Sequence, residues 1–190
     1  MTVGLWDVLR GASRPKRPDL DQLFAVPGAA ITLQTALGFA PTGTGAVCYR
    51  AAEGRGAVET AGEASALVGL DAGPRVRTTV DSFGYTWLTV PTSPPDVGSL
   101  VTDLHAINTS LEVDGFGSGL LCSVVAFRAP AGAAAYLVYL YKQGTFYPFA
   151  PSGDQRRDAL LERQVRDAIS SDLRLEEDTA RWMPLWNLPL

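Results

Sequence analysis

A single histidine, two cysteines and no long apolar run set the first limits on this 190-residue chain. Zinc sites ordinarily draw three or four ligands from His, Cys and carboxylates. Here His105 stands alone, and Cys48 and Cys122 lie far apart and match no ligand spacing, so no metal and no cofactor is expected. Two dispersed thiols fit a reducing compartment. A membrane-crossing helix needs about 20 consecutive apolar residues, and the sequence has no such run. Residues 1–17 lack the apolar core and cleavage site of a signal peptide. Cytoplasmic localisation is therefore expected, with contact at the inner face of a membrane peripheral at most. Excess positive charge is also missing. Sixteen Lys and Arg against 20 Asp and Glu give a net charge of −4, which speaks against a global nucleic-acid footprint. Internal repeats and long low-complexity tracts are absent as well.

What is present is globular in character. Hydrophobic residues make up 46% and charged residues 19% of the chain, a balance that supports a packed core rather than disorder. The length suits one domain. The expected organisation is a basic amphipathic arm over residues 1–17, a single α+β domain over 18–173, and a Trp-rich tail over 174–190 docked on that domain.

Residues 115–151 are the centre of the fold on this reading. Two apolar runs, 120–127 and 135–141, flank a loop with Arg128, Pro130 and Gly132. They are short and rich in Val and Tyr, which predicts a β-hairpin. Alternation places Leu121, Val125 and Phe127 on one face, and Leu120, Cys122, Val124 and Ala126 on the other. A second hairpin is expected around Asp81-Ser82-Phe83-Gly84, with Tyr85 and Trp87 pointing one way and Thr86, Leu88 and Val90 the other. With a strand at 46–50, these make an antiparallel sheet of about five strands with helices packed on it. One helical stretch begins at Pro18, breaks at Pro27-Gly28 and resumes over 29–37 to stop at Gly38. Another follows Ser93-Pro94-Pro95-Asp96, read as a capping box with Ser93 as cap and Pro94 at the first helical position. Its stripe is Val97, Leu100, Val101, Leu104, Ile107 and Leu111. A surface helix is expected over 155–173, a loop at 53–56 and a helix over 58–70.

Few residues suggest chemistry. His105, beside the core stripe, reads as a packed or hydrogen-bonded structural residue, and a nucleophilic site would require Cys48 or Cys122 within hydrogen-bond reach of it. Gly43-Thr44-Gly45 and the glycines of 115–119 precede strands rather than helices and read as turns. Glu176-Glu177-Asp178 reads as a solvated loop. The aromatics Tyr136, Tyr139, Tyr141, Phe146, Tyr147 and Phe149, interleaved with Arg128 and Lys142, resemble a stacking platform for single strands. The acidic total opposes that, and core packing plus an exposed sheet edge explains them better.

Interaction surfaces are the stronger candidates. In the arm, Leu5, Trp6, Val8 and Leu9 precede Arg10, Arg14, Lys16 and Arg17, with Asp7 the only acid. Such an arm either packs Trp6 on the domain or lies at a membrane or partner surface. Lys142, Phe146, Tyr147 and Phe149 form a second candidate group. The tail supplies Trp182 and Trp186, residue types typical of interface centres. Docked beside the 155–173 helix, Trp186 would contribute roughly 3–5 kcal/mol as a buried aromatic.

The ordered set PTGTGAVCYR (41–50), DSFGYTW (81–87), LVTDLHAIN (100–108), GFGSGLLCSVVAF (115–127) and YLYKQGTFYPFAP (139–151) resembles the PspA-associated protein family PspAB over nearly the whole chain. That resemblance implies an accessory role in the phage-shock, envelope-stress system. Its implied partners are a PspA-like coiled coil and an HtpX-like membrane protease, and it brings no catalytic residues. The arrangement of elements is also loosely like YbjN and type III secretion chaperones, an analogy of fold alone. The resulting expectation is a non-enzymatic adaptor. Alternatives are a chaperone-like dimer for a membrane or secreted client, or a Cys/His-dependent enzyme.

Overall fold

The computed structural model describes residues 18–50, 76–93, 95–153 and 155–190. Six strands lie within it: β1 (Ala40–Arg50), β2 (Arg77–Val80), β3 (Tyr85–Pro91), β4 (Leu120–Arg128), β5 (Ala134–Leu140) and β6 (Thr145–Phe149). All pair antiparallel in one sheet, in the order β2-β3-β1-β4-β5-β6. The α+β class and the antiparallel sheet agree with expectation; the count of about five strands does not. The extra strand is β6. Pro148 obscures it in the sequence, because proline supplies no ladder N–H and is tolerated chiefly on the outer strands of a sheet. Turn chemistry sets the hairpins. Asp81 accepts from the backbone N–H groups of Phe83 and Tyr85 at 2.9 and 3.0 Å, and Gly84 takes a φ of 80°.

Three α-helices occur among the described residues: α1 (Val26–Leu37), α2 (Val97–Val113) and α3 (Ala159–Ala168). A 3-10 turn, Leu20–Ala25, leads into α1. Pro27 therefore opens α1 instead of breaking a helix, since the N–H it lacks would have no partner in a first turn. Gly38 ends α1 at a φ of 73°. For α2 the cap is Asp96, not Ser93. Its carboxylate accepts from the N–H groups of Gly98 and Ser99 at 2.9 and 3.2 Å, and the Ser99 hydroxyl, donating at 2.7 Å, together with those N–H groups holds that carboxyl below the usual range. Helix α3 is shorter than the expected 155–173; Asp158 caps it through Leu161 N–H at 2.9 Å. The expected loop at 53–56, the helix over 58–70, Pro94 and the arm over 1–17 lie outside the described residues.

The sheet divides two apolar clusters. Leu100, Val101, Leu104, Ile107 and Leu111 of α2 join α1, α3 and the residues Val47, Leu88, Val90, Val125 and Phe127 on the helical face. Burial of each such side chain is worth about 1.5–3 kcal/mol. Ala46, Cys48, Trp87, Cys122, Val124, Val138, Tyr147 and Phe149 form the other cluster, completed by Trp182. The expected alternation holds along β3, but at the start of β4 two residues exchange faces. Leu120 joins the helical cluster, and Leu121 packs with Cys122 and Val124 against the other. The cause is a register shift between Cys48 and Tyr49, opposite Cys122 and Leu120; an extra residue resets the pleat.

Candidate functional site

The face opposite the helices is covered by the end of the chain. Residues 174–176 run parallel to β6. Phe146 N–H donates to Arg174 O, and Glu176 N–H donates to Phe146 O, both at 2.8 Å. These bonds close an edge expected to be open, satisfying groups that would otherwise invite pairing with another strand. Glu176 is only 6% exposed rather than solvated. Its carboxylate accepts from the Thr145 hydroxyl at 2.9 Å and Asp178 N–H at 3.0 Å.

Beyond this anchor the chain turns across the sheet. Trp182 stacks on Tyr147 with ring centroids 5.9 Å apart and planes 21° apart, and its indole N–H donates to Glu176 O at 3.0 Å. The Tyr147 hydroxyl donates to Met183 O at 2.8 Å. Trp186 meets Phe149 edge-on at 5.2 Å. The Thr89 hydroxyl on β3 donates to Pro189 O at 3.1 Å. From β6 to β3 is four strand spacings, about 19 Å at ~4.8 Å each. The tail from Met183 to Pro189, which turns at Trp186 and Asn187 with a φ of 59° at Asn187, crosses the face over β5, β4 and β1 between these two bonds, as a strap.

Arg157 and Glu162 brace the strap where it leaves β6. Glu162, 5% exposed, takes Arg157 Nε at 2.9 and 3.1 Å and the Ala150 N–H at 3.0 Å. The same guanidinium donates to Trp182 O and lies 5.5 Å from the centre of the Phe149 ring. A buried carboxylate with a partnered cation is held firmly, because removing either leaves an uncompensated charge. Burial also pushes the Tyr147 phenol well above its usual range, so it stays a hydrogen-bond donor to the strap.

The sequence candidates separate on this geometry. Trp6, Arg10, Arg14, Lys16 and Arg17 lie outside the described residues. Lys142 is exposed in the β5–β6 turn. Phe146, Tyr147 and Phe149 are at most 1% exposed, so their place as surface candidates is corrected: alternation along β6 sends Phe146 into the helical cluster and the other two beneath the strap. Trp182 is 8% exposed and Trp186 half-buried. Trp186 sits over the sheet rather than beside α3. Exposed on the strap are Met183 and the half-buried Leu185, Leu188 and Leu190.

His105 lies on the helical side, its Nε2 3.3 Å from Asp21 Oδ1 and its ring 4.9 Å from Phe24. Phe24 is itself 49% exposed. Cys48 and Cys122 are cross-strand partners on the strapped face, so the sheet separates both thiols from the imidazole. Arg157, Glu162 and Thr89 carry no reading from sequence, and Glu176 reads there only as part of a solvated loop. Only Glu162 carries a local signal, since it falls on the same helical face as Val165 and Ile169.

No curated protein and no solved structure matches the chain, so the likeness to YbjN and type III secretion chaperones gains no support. A family model described as PspA associated protein B, PspAB, matches residues 3–190. With that match running from the arm through the sheet to the last residue of the strap, the chain belongs to the PspAB family.

Proposed function

We propose that the protein is a non-enzymatic adaptor in a PspA-linked envelope-stress response. The family match over residues 3–190 carries this reading, because it ties the whole chain to PspA rather than one fragment of it. Two features support it. The strap sets Met183, 60% exposed, beside Leu185, Trp186 and Leu188, an apolar strip on a rigid sheet. The imidazole and the thiols, which a Cys/His enzyme would have to join, stand on opposite faces. The partners on this reading are a PspA-like coiled coil and an HtpX-like membrane protease, with peripheral membrane contact through residues 1–17.

The test is direct mixing of purified protein with a purified PspA-like coiled coil, followed by light scattering on a sizing column. A stable complex that weakens with Met183→Ser, a change at an exposed position, is the expected result. Failure to co-elute, together with no co-purification from envelope-stressed cells, would sink the adaptor reading.

A further inference from the structure

Cys48 on β1 and Cys122 on β4 stand directly opposite each other near the middle of the sheet. Both are free, and both are buried, at 3% and 7% exposure, in the cluster under the strap. Directly opposed residues in an antiparallel pair have Cα atoms about 4.5 or 5.5 Å apart. Either separation falls inside the ~4.4–6.8 Å window of a disulfide. Beside the pair, the register shift between Cys48 and Tyr49 locally disrupts the β1–β4 ladder. A single buried thiol would be inert apolar filling; two in register make a couple.

We propose that Cys48 and Cys122 are a dithiol modification site, oxidised by a hydroperoxide to a cross-strand disulfide, with the C-terminal strap controlling access. This goes beyond the adaptor reading and does not depend on it. The strap crosses β4 and β1 between its hydrogen bonds at Met183 and Pro189, so oxidant reaches the sulfurs when that segment lifts. Cys122, the more exposed, is the attacking sulfur. Its thiolate forms an S–O bond to the peroxide as the O–O bond breaks, and the alkoxide leaves as alcohol with the thiol proton. Cys48 then attacks the resulting sulfenic sulfur. The S–S bond forms, the S–O bond breaks, and hydroxide departs as water with the Cys48 proton. The peroxide gains two electrons, one net from each sulfur. Contact with Cys122, then burial and the Asp81 carboxylate, push the Cys48 thiol up, which suits the resolving role.

The experiment treats reduced full-length protein with hydrogen peroxide, quenches with catalase, then unfolds and alkylates it with N-ethylmaleimide. Intact mass and non-reducing peptide mapping are read. Both thiols should disappear together, with a mass loss of about 2 Da and a Cys48–Cys122 linked peptide. Cys48→Ala should stop at a dimedone-reactive sulfenic acid on Cys122, and Cys122→Ala should leave Cys48 alkylatable. Trp186→Ala, which loosens the strap and touches neither sulfur's chemistry, should speed disulfide formation roughly tenfold, the factor for ~1.4 kcal/mol removed from opening. Thiols that stay alkylatable in the wild type, or that end as separate sulfinic acids or intermolecular disulfides, overturn the dithiol site. That wild-type result decides even if the alanine variants fail to fold. An unchanged rate in Trp186→Ala overturns strap control.

Discussion

Replacing Trp182 with alanine should destabilise the domain more than any other change in the strap. The indole is 8% exposed, stacks on Tyr147 at 5.9 Å and donates to Glu176 O at 3.0 Å. Truncating a buried tryptophan costs about 3–5 kcal/mol, of which ~0.5–1.5 kcal/mol belongs to the aromatic pair. Trp182→Phe keeps a ring over Tyr147 and loses only the N–H and part of the volume, so about 1–2 kcal/mol is expected. Trp186 is half-buried and has the single edge contact with Phe149. Its truncation should cost about half as much as that of Trp182, roughly 2 kcal/mol, below the sequence-based expectation for that residue. A chain of this size loses about 2–4 °C of Tm per kcal/mol. The expected drops are then roughly 6–20 °C for Trp182→Ala and 4–8 °C for Trp186→Ala. Thermal melts followed by near-UV circular dichroism, with urea titrations as a check, measure both. A Trp182→Ala melt within ~2 °C of wild type, or a larger loss at Trp186, would refute the account of the strap as part of the folded core.

Asn108, fully buried, donates to Leu104 O at 2.7 Å and to Ser123 Oγ at 2.8 Å; Asn108→Ala should cost about 2 kcal/mol, and a double-mutant cycle with Ser123→Ala should show coupling. Burial raises the phenols of Tyr49, Tyr139, Tyr141 and Tyr147. A group raised in the folded state contributes stability that is complete below its unfolded value, about 10, and lost as pH rises through the folded value. These four should therefore ionise only as the protein unfolds in alkali, and a phenolate absorbance rise from them before the circular dichroism changes would contradict the burial argument. Residues 1–17, with four bases worth about 1 kcal/mol each at an anionic leaflet, should bind anionic liposomes in low salt; equal sedimentation with and without the arm removes membrane contact from the proposal.

Strand faces set by local alternation were readable from the sequence. Tyr85 and Trp87 against Leu88 and Val90 follow from the two-residue period alone. Leu120 and Leu121 were misassigned because a bulge depends on the opposing strand, here Cys48 and Tyr49, some 70 positions away. The α2 boundary had two competing caps within four residues, Ser93 and Asp96, and only geometry chooses between them.

Polar residues of the strapped face show where that boundary of legibility falls. Glu162 shares a helical face with Val165 and Ile169, so its burial demands a cation, and Arg157 is five residues away. That demand and its answer are both local, and a close reading of α3 contains them. Glu176 poses the same demand inside an acidic run that reads as solvated; Arg181, five residues on, lies 3.4 Å from its carboxylate, but the Thr145 hydroxyl that completes its burial is 31 residues back and is reached only where the tail pairs with β6. The hydrogen bond from Thr89 to Pro189 bridges 100 positions. The tryptophans mark the tail as apolar enough to need cover, but the direction of the strap depends on which distant strands present an aromatic ring or a hydroxyl. Composition therefore predicts that residues 174–190 dock somewhere, while sheet order determines that they cross β4 and β1, above the one place where two thiols meet.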